Sequence, residues 1–256
     1  MNWTIIGCGW LGTSLAETLL NSGDDVIGTT TRPEKKSELE QKGIKSVTFK
    51  LNSQISTEII GFSEIVVLSV PPFNRTNTTD YGDALVNLVQ QFHPNTKFLF
   101  LGSTGIYPQK NGVYTEEYDF KIEERNNSLF KAEEKLTEAL SSRLTILRLG
   151  GLFGEDRHPI YQLSGRANIA NPKGKINFAG KNDIISILNK IVQLNQFGEI
   201  FNIVFPEHPT RESYYYLKAK EFNLIPPSFN FSPSIIREIS SKKVQSILHF
   251  KFQHSI

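Results

Sequence analysis

The sequence predicts an α/β fold on a doubly wound parallel sheet, with a small C-terminal lobe. Three observations carry this. Short β-favouring apolar blocks alternate with amphipathic helical stretches through residues 1–149, which is the pattern of βαβ units. Residues 64–70 contain the unbroken apolar run Ile65-Val66-Val67-Leu68, as in a strand buried on both faces. The first strand passes into the first helix through Gly7-Cys8-Gly9-Trp10-Leu11-Gly12, three glycines at the spacing G-x-G-x-x-G.

Thr4-Ile5-Ile6 is the first strand, and residues 11–20 repeat apolar positions at helical spacing. Residues 25–32 make the second strand. Pro33 suits a first helical position, residues 34–41 continue the helix and Gly43 ends it. A third strand at 46–49, a short helix at 53–60 and the strand at 64–70 follow, the last stopped by Pro71-Pro72. A polar loop at 73–79 leads to a helix at 81–92 whose Leu85, Leu88, Val89 and Phe92 share one face. The strand 97–101, a charged helix at 127–140 and the strand 144–149 complete the regular part. After Gly150 the alternation lapses. A helix at 183–194, a strand at 200–204 and a helix at 210–222 capped by Thr210 are still legible. Residues 1–149 are thus expected to form a nucleotide-binding core. Residues 150–256 should form a substrate-side lobe with segments returning to that core.

Each glycine of the first turn has a separate physical task. Gly7 makes the tight turn, Gly9 lets backbone N–H groups approach a pyrophosphate, and Gly12 allows close helix-to-strand packing. The following helix N-terminus, with Trp10 and Leu11 in its first turn, supplies positive partial charge to the anion. Ligands of such sheets lie at the carboxyl ends of the strands, so Ser69, Val70 and Pro71 are expected beside the same cofactor. An NAD site places an acid at the end of the second strand. Here Thr30, Thr31 and Arg32 stand there, while Asp24 and Asp25 lie at the opposite end. Hydroxyls and a guanidinium fork suit a 2′-phosphate, so the expected cofactor is NADP(H) in preference to NAD(H). Cys8, between two of the glycines, is either a thiol activated by the helix terminus or a small packing residue.

The 256 residues are 39% hydrophobic with a net charge of +2, the composition of a soluble globule with an adequate core. Lys35-Lys36 and Lys242-Lys243 are isolated pairs, so nucleic acid is not an expected partner. The single cysteine excludes an intramolecular disulfide and a C-x-x-C metal site, and the five histidines show no ligand spacing. No metal is expected. Without a charged leader or a long apolar run, a cytoplasmic location away from membranes is expected.

The strand at 97–101 ends in Gly102-Ser103-Thr104-Gly105-Ile106-Tyr107-Pro108. The next ends in Leu147-Arg148-Leu149-Gly150-Gly151-Leu152-Phe153-Gly154, and Gly180-Lys181-Asn182-Asp183 and Glu199-Ile200-Phe201-Asn202-Ile203 follow. In these segments the chain resembles the extended short-chain dehydrogenase/reductases, in particular the sugar-nucleotide epimerase/dehydratase branch, over nearly its whole length. The resemblance implies a Rossmann-type domain, a substrate-binding hydroxyl at Ser103 and a lysine at Lys131 that holds the nicotinamide ribose. It also implies pairing of two copies through sheet-side helices, as a homodimer. In that family a tyrosine four residues before the lysine moves the proton. Here the position is Asn127, and an amide does not titrate near neutral pH. Tyr107, Tyr114 and Tyr118 lie upstream as alternatives. This departure is similar to the atypical members of the family, which often lack the tyrosine.

Arg148 and His158, with Arg157, Arg166 and Arg211, offer themselves to an anionic small-molecule substrate such as a nucleotide diphosphate. Two functions are compatible with these residues. One is an NADP(H)-dependent oxidoreductase or epimerase-like enzyme with Ser103 and Lys131 in its site. The other is an NADP(H)-occupied sensor or regulatory protein in which no hydride moves.

Overall fold

The structure, a computed structural model, describes residues 1–72 and 80–253; the loop expected at 73–79 lies outside them. The chain begins with β1 (Asn2–Ile6), α1 (Trp10–Asn21), β2 (Asp25–Thr30), α2 (Pro33–Gln41) and β3 (Lys45–Thr48). Next come α3 (Thr57–Phe62), β4 (Ile65–Leu68), α4 (Tyr81–Val89), β5 (Lys97–Ser103) and β6 (Gly112–Tyr114). Then follow α5 (Ser128–Leu140), β7 (Leu144–Leu149), β8 (Gly151–Phe153), α6 (Ile160–Leu163), β9 (Phe178–Gly180) and α7 (Lys181–Gln193). The last described elements are β10 (Ile200–Ile203), α8 (Arg211–Glu221), β11 (Arg237–Ile239) and α9 (Lys242–Ile247).

A mainly parallel sheet of seven strands runs in the order β10-β7-β5-β4-β1-β2-β3. β1 pairs in parallel with both β2 and β4, so the order reverses beside β1. That reversal is the switch point where such sheets take ligands at the carboxyl ends of their strands.

The chain divides into two compact units that interleave along the sequence. The first comprises Met1–Ile106, Phe120–Leu147 and Leu188–Ile200. Its core contains Ile6, Leu68, Leu85, Phe98 and Phe100 with Leu136 of α5, and each such side chain removed from water contributes roughly 1.5–3 kcal/mol before entropy is counted. The helix starts follow the caps. Ser56 Oγ accepts from Ile59 N, so α3 begins at Thr57 rather than at Ser53. Asp80 caps α4 through Asp83 N, and Lys135 of α5 bridges both carboxylates at 3.1 and 2.6 Å.

The second unit comprises Tyr107–Asp119, Arg148–Ile187 and Phe201–Ile256. It contains two short parallel pairs, β6 with β11 and β8 with β9. Three-residue strands are too short to show an alternation in sequence, which is why they were invisible there. Asn177 stitches this unit: its Nδ2 donates to Arg237 O at 2.9 Å and its Oδ1 accepts from Ile239 N at 2.8 Å. Thr210 caps α8 as expected, accepting from Ser213 N.

Candidate functional site

The glycine turn sits at the end of β1, and its three glycines differ in what surrounds them. Gly7 has φ +100°, and a Cβ there would stand 2.5 Å from Ser69 O, at the end of β4. Only glycine fits both the backbone and the space. A Cβ on Gly12 would lie 2.7 Å from Gly7 O and 3.2 Å from Ile5 Cγ2, so Gly12 is what lets α1 close onto β1. A Cβ on Gly9 would meet nothing within 4 Å. Gly9 is also the N-cap of α1 and no side chain caps that terminus. The turn therefore presents an open cradle at a helix N-terminus, the environment that a phosphate group prefers. The residues present fit a dinucleotide.

The turn is held from β2. Thr29 Oγ1 accepts from Gly7 N at 3.0 Å and Thr29 O accepts from Cys8 N at 2.7 Å. Sequence reading missed Thr29, whose buried hydroxyl carries no signal in one sequence. It also missed Gly28, where a Cβ would stand 2.6 Å from Cys8 Sγ. Cys8 is 2% exposed, and burial pushes its thiol up to about 12. Of the two readings of Cys8, the small packing residue is the one the structure supports, since reactivity requires the thiolate.

Thr31 and Arg32 at the end of β2 are exposed, whereas Thr30 is buried and its Oγ1 accepts from Arg32 N at 3.3 Å. Arg32 is the N-cap of α2, with Pro33 behind it. Glu38 is held below the usual carboxylate range by its hydrogen bond to Lys35, with Arg32 adding a smaller electrostatic pull. Trp10 and Leu11 open α1, and Leu11 is buried. Ser69 N donates to Ile6 O, and Val70 O accepts from Tyr81 Oη at 2.7 Å. Ser69 and Val70 are half-buried and Pro71 is exposed.

Ser103 ends β5, and its half-buried hydroxyl accepts from Gly105 N at 3.0 Å. Gly105 O in turn accepts from Asn127 Nδ2 at 3.2 Å. Asn127 Oδ1 caps α5 by accepting from Leu129 N at 2.9 Å. Lys131 stands one turn on with its side chain exposed. Ser103 and Asn127 are therefore joined through Gly105, and the amide occupies itself with holding a turn and a helix end.

The alternative tyrosines are committed elsewhere. Tyr107 is 1% exposed, and its Oη donates to Asn202 Oδ1 at 2.8 Å and accepts from Arg148 Nη1 at 2.7 Å. Burial raises its pKa despite Arg148. Tyr114 and Tyr118 pack on it and on each other, and Tyr114 is buried rather than half exposed as a loop residue would be.

Two expected substrate residues are placed differently from the sequence reading. Arg148 is 4% exposed and spent on Tyr107, whose ring lies 5.2 Å beneath its guanidinium. His158 is 7% exposed; Ile160 N donates to its Nδ1 at 3.1 Å and its Nε2 meets Tyr214 Oη at 2.8 Å. Burial, with Lys218 nearby, lowers its pKa to about 4. A neutral ring has no charge to offer an anion.

Among the described residues, no helix is long and apolar enough to cross a membrane and no group of side chains could hold a metal ion.

Residues 2–86 match the family model described as NADP oxidoreductase coenzyme F420-dependent. The protein YeeZ of Escherichia coli (strain K12) is 26% identical over 262 residues, covering 98% of this chain and 95% of that protein. Among solved structures, UDP-glucuronic acid 4-epimerase from Bacillus cereus in complex with NAD is similar with a TM-score of 0.80 at 16% identity. That alignment covers 100% of this chain and 94% of the other. MoeE5 in complex with UDP-glucose and NAD matches with a TM-score of 0.79 at 17% identity, over 100% and 95% of the two chains.

Proposed function

From its Rossmann-type fold, shared with the two NAD-bound structures just described, and from the family-model match over residues 2–86, we propose that the protein is an NADP(H)-binding oxidoreductase or epimerase-like protein. Its substrate is a small carbonyl or hydroxyl compound or a sugar nucleotide. The observation that carries this reading is the open cradle at Gly9, flanked by Gly7 and Gly12 where a Cβ would collide. A bound nicotinamide supplies or accepts a hydride. The chain's own residues hold and orient. Gly7, Gly9 and Gly12 with the start of α1 receive the pyrophosphate, and Ser69, Val70 and Pro71 lie along the cofactor. Thr31 and Arg32 receive the 2′-phosphate, backed by Thr30, and Lys131 holds the ribose. Ser103 offers its hydroxyl to a substrate oxygen, since the bond to Gly105 N uses only one of its lone pairs.

Preference for NADP(H) rests on Arg32 and on the absence of an acid at the end of β2. Calorimetric titration with NADPH and NADH tests it. Wild type should favour NADPH, and Arg32→Ala should weaken NADPH roughly tenfold or more through a lost charge-assisted pair while leaving NADH nearly unchanged. Equal losses for both would remove the cofactor assignment.

Asn127 favours a second reading, a sensor or regulatory protein that keeps the nucleotide without turning it over. Its amide is committed to Leu129 N and Gly105 O and cannot exchange a proton at neutral pH. A turnover screen on sugar nucleotides and simple carbonyls, run on wild type and Asn127→Tyr, separates the two. Wild-type turnover supports the enzyme, and activity only in the variant supports the sensor.

A further inference from the structure

We propose that the second unit contains a binding site for a small uncharged molecule with a planar ring and a carbonyl acceptor, in the cavity between α8 and the segments beginning at Phe153 and Gly180. The inference is independent of the dinucleotide reading and shares no residue with it. The cavity measures about 580 Å³, within the range of pockets that enclose small organic ligands.

Its wall is aromatic. Phe153, His158, Tyr214 and Phe222 all line it. The His158 ring lies 5.8 Å from Tyr214 at 30° and 5.3 Å from Phe222. Phe222, 37% exposed, is supported from behind by Tyr161, stacked at 5.7 Å. Planar rings pack on such faces with offset or edge contacts.

The hydrogen bonds fix what the wall offers. Ile160 N is a donor, so His158 Nδ1 must accept, and the ring hydrogen resides on Nε2. Nε2 therefore donates to Tyr214 Oη. The phenol's own hydrogen is not used in that bond, and Tyr214 has no other hydrogen-bond partner among the described residues. Tyr214 is 3% exposed and lines the cavity. A buried donor without a partner costs free energy that an acceptor on a ligand would recover. Burial holds His158 near 4 and raises Tyr214 further above its ordinary range, so the pair stays neutral at physiological pH.

The four charged side chains that line the cavity, Lys181, Lys218, Glu155 and Glu221, sum to zero. Lys218 pairs with Glu221 at 2.9 Å, Lys181 pairs with Asp156 at 2.9 Å, and Glu155 lies at the rim. Both lining lysines are already paired with carboxylates, so no spare cation draws in an anion, and the ligand is uncharged. A nucleoside base and a simple aromatic carboxamide both have this chemistry.

Calorimetric titration of the full chain with uridine and with benzamide distinguishes the two sources. Uridine 5′-monophosphate and benzyl alcohol serve as the charged and carbonyl-free controls. At least one of the first pair should bind saturably and more tightly than its control. Tyr214→Phe should weaken that binding about fivefold to tenfold, the effect of one neutral hydrogen bond. Phe222→Ala, at a side chain 37% exposed, should weaken it as well, so the proposal can be judged even if Tyr214→Phe is poorly folded. Saturation by neither probe, tighter binding of the monophosphate than of the nucleoside, or affinity unchanged in both variants would overturn the inference.

Discussion

Gly9→Ala separates the structural from the binding role of the glycine turn, because the three glycines meet different surroundings. Gly9 has φ −81° and ψ −153°, an extended backbone with the negative φ that L-residues adopt, and its added methyl would meet nothing within 4 Å. Alanine restricts the unfolded chain, a gain of about 0.4–1 kcal/mol. It is also a poorer N-cap than glycine. The two offset, so stability should move by about 0.5 kcal/mol or less. Gly7→Ala combines φ +100° with a contact of 2.5 Å to Ser69 O and should cost about 3 kcal/mol or more. In Gly9→Ala the methyl projects into the cradle and keeps an anion from the N–H groups of the turn. A loss of about 2 kcal/mol corresponds to NADPH binding weakened about thirtyfold. Urea unfolding and calorimetric titration measure the two quantities on the same protein. If Gly9→Ala bound NADPH like wild type, or unfolded as readily as Gly7→Ala, the division of labour argued from these distances would be wrong.

How much of this was legible in the sequence depends on the range of each determinant. The seven sheet strands and the helices that follow them announce themselves locally, through apolar runs such as Val66-Val67-Leu68 and the spacing of Leu85, Leu88 and Val89. The glycine turn was legible because its three functions need one residue type at fixed spacing. Side chains whose fate depends on distant partners were not. Arg148 reads as a free cation beside a cleft, yet Tyr107, 41 positions away, consumes it. His158 reads as part of a site for an anionic substrate and is buried against Tyr214, 56 positions on. The strands β6 and β11 exist only because residues 112–114 and 237–239 meet, and neither run carries an alternation long enough to detect. Asn127 was legible as a departure from the tyrosine of the dehydrogenase/reductases that the sequence resembles, but its employment as an N-cap and as the tie to Gly105 depends on where residue 105 meets α5 in the fold.

The remaining expectations concern Asn127 and His158. Asn127→Ala removes the acceptor for Leu129 N and the donor to Gly105 O; it should cost about 1–2 kcal/mol in urea unfolding. Asn127→Asp, which keeps the cap acceptor, should recover part of that loss. His158 predicts a pH dependence whose sign follows from its depressed pKa of about 4. Between about 6.5 and 4 the unfolded chain takes up a proton on this ring that the folded chain refuses. Stability is therefore full above about 6.5 and falls as the pH drops toward 4. At about 1.36 kcal/mol per unit, discounted for solvent screening because the ring lines an open cavity, the loss is about 2 kcal/mol. Glu116, whose pKa is raised by burial, works in the opposite direction over part of that range. The His158 contribution is accordingly the difference between wild type and His158→Gln, measured by urea unfolding at neutral pH and near pH 4.5. Wild type should lose more stability on acidification than the variant; parallel curves would mean that the ring is protonated as easily in the folded protein as in the unfolded chain.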